Sequence, residues 1–288
     1  MYHRHMHTSD AVSTYPRRTR KSEVWRSFEI ETSMAALSGA RHESSGPTVL
    51  FLHGLGSSSD DIADAAEHPD LRTYRIEAID LPGHRSSQWR TKNEPDSVLA
   101  CVELLSEYVA DHIDGELAIV GHSLGGAIGV LLADRLGDRC RGLIDIEGNL
   151  IDADCAALSR PTATRLDWER DELFQMIDEH LAGNPAGGTQ AYLDRYRGNV
   201  TDHREWVAYT RALVDHSADG SLLQQFMALR CRRTYIYGAD DPPEVVERLV
   251  PHGVPVTPIP ESGHWPMYAN PDDLHDAIAS DLRDAFAA

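Results

Sequence analysis

The apolar run at residues 118–130, AIVGHSLGGAIGV, carries a single hydroxyl, that of Ser123. It sits within Gly121-His122-Ser123-Leu124-Gly125, a G-x-S-x-G pattern followed by Gly126. The pattern suits a nucleophilic serine held at the tip of a sharp strand-to-helix turn. Side chains two positions to either side would collide with the neighbouring strand and helix, so both positions are glycine. The helix that follows aims free N–H groups and a partial positive charge at the same spot. Five residues alone also fit an ordinary glycine-rich turn; a strand before and a helix after are what make the pattern specific.

A serine hydroxyl is a poor nucleophile without a base. Any of the 15 histidines is by default one satisfied in a loop. His264, in PIPESGHWPMYANPDD, stands out because it falls between the last expected strand and the last expected helix, preceded by Ser262-Gly263. The third group required is a carboxylate that fixes the imidazole and stabilises its positive form. Two candidates compete. Asp241 lies three residues past Gly238, just after an expected strand, and Glu147 closes another in DIEGN. An acid closing an apolar strand costs desolvation unless it has a partner. Either one is otherwise a solvated loop acid, as Asp240 is expected to be.

An oxyanion hole needs two backbone donors. The N–H of Leu124, just past the serine, is one candidate. The loop LHGLGSSSD offers the other, the N–H of Leu55, where Gly54 and Gly56 allow close approach of backbone to substrate. The plain alternative for His53-Gly54 is a strand-ending turn.

The elements that must position these groups follow from periodicity. Residues 24–39, VWRSFEIETSMAALSG, alternate well enough for one or two strands. Short apolar runs then predict strands in GPTVLFLHG, YRIEAIDLPGH, GELAIVGH, CRGLIDIEGN, RRTYIYGADD and VPVTPIP. Val98, Val102, Leu105, Val109 and Ile113 fall at helical spacing, GGAIGVLLADRLGD reads as a helix, and a last helix starts near Pro271. Apolar strands alternating with helices indicate an α/β architecture, a mostly parallel central sheet with helices on both faces. Such sheets place their chemistry at the carboxyl ends of the strands, where His53, Asp80, Ser123, Glu147 and Asp240/Asp241 fall, with His264 after the last. Residues 23–149 and 230–288 form this core. Residues 150–229 interrupt the alternation and read as an inserted helical cap, rich in aromatics, with a loop at LAGNPAGGTQ.

The 288 residues carry a formal charge of −19, which repels phosphate backbones and anionic lipid heads and argues against nucleic-acid or membrane partners. No apolar run approaches the ~20 residues of a membrane span. Cys101, Cys140, Cys155 and Cys231 lack metal or redox spacing and are expected to be reduced and mostly buried, as in a cytoplasmic protein. Residues 1–22 read as a flexible polar tail. His3, His5 and His7 within it offer a conceivable metal site, but none is expected.

The motifs LHGLG, DLPGHRSS, GHSLGG, YGADDP and SGHWPMYANP, in this order and spacing, resemble the α/β-hydrolase fold over roughly residue 24 to the C-terminus. The resemblance implies a Ser–acid–His hydrolase with a cap, acting without metal or organic cofactor on a small-molecule carboxylic ester or lactone, and it leaves room for a homodimer. Epoxide hydrolases and haloalkane dehalogenases of this fold carry Asp where this chain has Ser123, so their reactions are not expected. Most members place the acid where Asp241 falls. A minority, zearalenone-type lactonases among them, have a Glu where Glu147 falls, and IDIEGN resembles that minority. Trp265 and Met267 beside the histidine point to an apolar substrate moiety, unless the aromatics are simply core. A thioesterase or carbon–carbon bond hydrolase, and a non-catalytic small-ligand receptor on the same fold, are the competing readings.

Overall fold

The computed structural model describes residues 24–92, 94–156, 158–165 and 167–287; the expected polar tail with His3, His5 and His7 lies outside them. Among the described residues, nine strands form one sheet: β1 (Arg26–Glu31), β2 (Ala35–His42), β3 (Thr48–Leu52), β4 (Arg75–Ile79), β5 (Gln88–Trp89), β6 (Leu117–His122), β7 (Cys140–Ile146), β8 (Arg232–Gly238) and β9 (Val256–Ile259). Their order is β1-β2-β4-β3-β6-β7-β8-β9, with the two-residue β5 extending the edge of β2. The first pairings, β1 with β2 and β2 with β4, are antiparallel. From β4 through β9 every pairing is parallel.

The apolar runs are strands because both faces of the sheet are covered. Along β3, Leu50 and Leu52 point into one core and Val49 and Phe51 into the other, the two-residue period of a pleated strand. The first core is closed by α1 (Ser97–His112) and α2 (Leu124–Leu136). Asp96 caps α1 by accepting the Leu99 N–H at 2.9 Å. Between β7 and β8 the chain forms α3 (Ser159–Thr162), α4 (Arg170–Leu181), α5 (Thr189–Leu193), α6 (Tyr196–Asn199), α7 (His203–Ser217) and α8 (Ser221–Ala228), a helical insertion whose aromatic residues continue the first core. After β8 come α9 (Val245–Leu249), α10 (Pro266–Ala269) and α11 (Pro271–Ala287). The second core is closed by α11, whose Leu274, Ile278 and Leu282 repeat at four-residue spacing and are buried; each contributes about 2 kcal/mol of apolar burial. A short 3-10 helix, Ser59–Ala66, packs on the same side.

The chain leaves β3 towards β4 on one side and returns at β6 on the other. Strand order therefore reverses between β3 and β6, the place where a doubly wound sheet opens a crevice at its carboxyl edge. The segments leaving β3 and β6 carry Leu55 and Ser123. No described helix is long and apolar enough to cross a membrane.

Candidate active site

Ser123 follows β6 directly, at φ 52° and ψ −116°, and α2 starts at the next residue. A non-glycine residue there stores backbone strain. The glycines around it are explained by what a side chain would meet. A Cβ on Gly121 would strike the Gly125 carbonyl, and one on Gly125 would strike the Leu52 carbonyl. A Cβ on Gly54 would lie 2.7 Å from His122 Nδ1 and 3.0 Å from Ser123 Cβ, so the loop after β3 runs against the serine. The start of α2 leaves N–H groups without helical partners, that of Leu124 first among them.

Glu147 follows β7, also at positive φ (53°), and is 5% exposed. Its main chain still pairs with β8 through the Ile236 carbonyl at 2.9 Å. One carboxylate oxygen, Oε1, accepts the Gly238 N–H at 2.7 Å. The other, Oε2, faces His264 Nδ1 at 3.3 Å. The structure thus brings Glu147 and His264 together, whereas Asp240 and Asp241 are exposed at the end of β8. The His264 carbonyl accepts a hydrogen bond from His122 Nε2 at 2.8 Å, which ties the histidine loop to the residue beside Ser123. His122 is neutral at ordinary pH, its pKa lowered by burial and by the neighbouring His264 to about 3.

Among the described residues, the Ser123 hydroxyl donates to Asn149 Oδ1 at 3.3 Å and makes no hydrogen bond to His264. Asn149 is held firmly. Its Nδ2 donates to the Asp154 carbonyl at 2.7 Å, and its carbonyl accepts from Ser217 Oγ at 2.8 Å. Asp154 in turn accepts the N–H groups of Leu150 and Ile151 at 3.0 and 2.9 Å. Burial, with Glu147 nearby, raises Asp154 to about 7. Asp145, one turn of the pleat before Glu147, is wholly buried between Gly126 and Gly148. Burial and the charges of Asp154 and Glu147 push its carboxyl well above the ordinary range. Two buried carboxyls, Asp145 and Asp154, therefore lie near Glu147.

Two further histidines shape the loop after β3. His53 Nδ1 donates to the Gly54 carbonyl at 2.7 Å while its Nε2 accepts the Leu81 N–H at 2.9 Å. His84 Nε2 accepts the Gly56 N–H at 3.0 Å. Burial lowers His53 to about 4 and His84 to about 3, so both keep the lone pair these bonds need. Asp80 is also structural, accepting the Ser59 N–H at 2.7 Å and the Ser38 hydroxyl at 2.8 Å. The aromatics of the insertion are core. Phe174, Tyr192, Tyr196, Trp206, Tyr209 and Phe226 are buried, and Trp265 stacks on Tyr192 with ring centroids 4.3 Å apart.

Residues 49–277 match the family model described as the alpha/beta hydrolase family. The chain belongs to the alpha/beta hydrolase family. Within it, the chain is 29% identical over 271 residues to the pyrethroid hydrolase of Sphingobium wenxiniae, covering 82% of this chain and 88% of that protein. It is 29% identical over 172 residues to the pimeloyl-[acyl-carrier protein] methyl ester esterase of Nitrosomonas europaea, covering 59% and 61%. It is also 32% identical over 169 residues to an esterase of Mycobacterium tuberculosis, covering 54% of each. The chain thus spans only a little over half the length of these last two. A solved structure of the N-acyl homoserine lactonase AidH shares the fold, with a TM-score of 0.71 at 20% identity over 91% of this chain and 97% of that one. Asn149, His84, Tyr192 and Asn199 were not singled out from sequence. Asn149 stood in the quoted motif DIEGN, where the acid drew the attention, and His84 in DLPGHRSS, where nothing marked it as a support of the neighbouring loop.

Proposed function

We propose that this hydrolase cleaves a carboxylic ester or lactone of a small, largely apolar substrate through a Ser123–His264–Glu147 triad and an acyl-enzyme. The observation that carries the reading is the His264–Glu147 pair at 3.3 Å, on a loop bonded to the residue beside Ser123. Glu147 rather than Asp241 is the acid, because it faces Nδ1 and its orientation is fixed by Gly238. The relatives named esterase and pyrethroid hydrolase support the choice of substrate class. Ser123 is 7% exposed, which favours a slender acyl group.

In the cycle, Ser123 Oγ turns from Asn149 to His264 Nε2, gives it the proton and attacks the carbonyl carbon. With Nδ1–H bonded to Glu147, Nε2 is the basic nitrogen. Charge developing on the carbonyl oxygen meets the N–H groups of Leu55 and Leu124. The His264 proton passes to the departing alcohol oxygen as the acyl–oxygen bond breaks. Water then gives a proton to Nε2, adds to the acyl carbon, and the acid leaves as Ser123 recovers its proton. The helical insertion acts as a cap over this site.

A panel of short p-nitrophenyl esters, lactones, thioesters and vinylogous diketones, run on wild type and Ser123→Ala, tests the reading. Ester or lactone turnover lost in Ser123→Ala supports it. Preference for thioesters or diketones would move the substrate class, and binding of esters without turnover would favour a receptor.

A further inference from the structure

Three consecutive peptide units, from Gly54 to Ser57, leave β3 and pass Ser123. They contain six polar backbone groups, and five have partners. The Gly54 carbonyl accepts from His53 Nδ1 at 2.7 Å and from the Ser57 N–H at 3.2 Å. The Leu55 carbonyl accepts from the Tyr192 hydroxyl at 3.1 Å. The Gly56 N–H donates to His84 Nε2 at 3.0 Å, and the Gly56 carbonyl accepts from Asn199 Nδ2 at 3.0 Å. Among the described residues, only the Leu55 N–H is left without a partner. A buried donor left free at the carboxyl edge of the sheet is what an oxyanion hole requires.

Two of these partners, Tyr192 and Asn199, belong to the helical insertion. The Ser57-to-Gly54 bond closes a turn whose third residue, Gly56, sits at φ +69°, the type II pattern. The middle peptide of that turn is gripped at both ends, by Tyr192 on its carbonyl and His84 on its N–H. Asn199 grips the next peptide. No side chain fits at Gly56, since a Cβ there would lie 2.7 Å from Tyr192 Oη and 2.8 Å from Tyr196 Cβ. The Tyr192 ring also stacks on Trp265, the neighbour of His264, at 4.3 Å and 17°. The insertion is further stitched to the loop after β4. Arg85 N–H donates to the Asn199 carbonyl at 2.7 Å and Thr201 N–H to the Gly83 carbonyl at 2.9 Å.

We propose that Tyr192 and Asn199 are positioning residues for the oxyanion hole, so that this part of the insertion is a fixed component of the catalytic apparatus and not a lid that lifts away. The proposal rests on the serine-hydrolase reading above. Tyr192→Phe removes only the hydroxyl and keeps the ring against Trp265. Misplacement of a reacting group by an ångström costs on the order of a hundredfold in rate, and loss of an oxyanion donor about 100- to 1000-fold. A loosened donor lies below both, so kcat is expected to fall about tenfold per variant with KM changed less than about twofold.

The test compares wild type, Tyr192→Phe and Asn199→Ala, with rates per active site titrated by a fluorophosphonate so that unfolded protein does not count. The second readout is affinity for a trifluoromethyl ketone, which forms a hemiketal oxyanion on the serine. Ketone affinity falling by the same factor as kcat in either variant supports the proposal. Rates per site within twofold of wild type in both variants overturn it, as does a fall in kcat without loss of ketone affinity. Wild-type protein that turns over no ester and binds no ketone overturns both the positioning role and the hydrolase reading. An active wild type with indifferent variants overturns only the former.

Discussion

Replacing Glu147 by glutamine exchanges one carboxylate oxygen for an NH2 group, and the surroundings dictate which one. The Gly238 N–H, 2.7 Å from Oε1, can only donate, so the glutamine oxygen must stay there. The new NH2 then falls in the place of Oε2, 3.3 Å from His264 Nδ1. A donor at that point selects the tautomer with a bare Nδ1 and a proton on Nε2. Such an imidazole cannot take the Ser123 proton. The flipped amide would set two donors face to face in a site that is 5% exposed, at about 1–3 kcal/mol. Wrong-tautomer changes of this kind in serine hydrolases cost about 10⁴-fold, or about 5.5 kcal/mol of barrier. Stability should move the other way. Glu147 is one of the charges, after burial itself, that push Asp145 and Asp154 upward, so neutralising it relieves repulsion and leaves the melting temperature equal or higher. The assay is kcat/KM on p-nitrophenyl butyrate beside a thermal melt, with Asp241→Asn, at an exposed position, expected within about twofold of wild type. A folded Glu147→Gln enzyme keeping more than a tenth of wild-type activity would refute the reasoning, as would an Asp241→Asn enzyme that loses it.

Ser123→Gly and Ser123→Ala both remove the hydroxyl, but only glycine relieves the positive φ of 52°. The glycine variant should be more stable by about 1 kcal/mol in urea denaturation. Asn149→Ala removes the acceptor that holds the Ser123 proton away from His264. The second-order rate of fluorophosphonate labelling should rise about fivefold, the worth of one net hydrogen bond; a slower rate would show that Asn149 aids the nucleophile instead. Asp154 rises from 3.8 to about 7 on folding. Between those values the folded chain holds a proton that the unfolded chain has released, so its contribution to stability falls as pH rises through that window and is constant above it. Asp154→Asn should flatten the fall in urea midpoint between pH 4.5 and 7.5 relative to wild type.

Much of this architecture was legible because parallel strands buried on both faces must be continuously apolar. LAIVGH and CRGLIDI could hardly be anything else, and Val98, Val102, Leu105 and Val109 line one side of a helix for an equally local reason. Two strands in the opening segment followed from alternation, although their antiparallel pairing and the reversal of order at β3 and β6 did not. Strand order depends on contacts between distant segments, and β5, two residues long, leaves no period to read. At the site, Ser123 and His264 stood out by motif and position. Which of Glu147 and Asp241 meets His264 was not legible, because Gly238 donating to Glu147 and His264 facing it are facts of the folded chain alone. The supports of the Leu55 loop were invisible for the same reason. Tyr192 and Asn199 lie 137 and 143 residues from the carbonyls they bind, and an aromatic or an amide in a helical stretch carries no mark of such a role. The aromatics of the insertion hinted at a greasy substrate, yet their burial shows them packing on one another.

The central claim is that Ser123 is a nucleophile activated by His264. Intact mass spectrometry after fluorophosphonate treatment, followed by peptide mapping, tests it most directly. One adduct per chain on Ser123, abolished by prior denaturation and slowed by orders of magnitude in His264→Ala, is the predicted result. A folded wild-type protein that takes no adduct, or takes it at another residue, would contradict the claim.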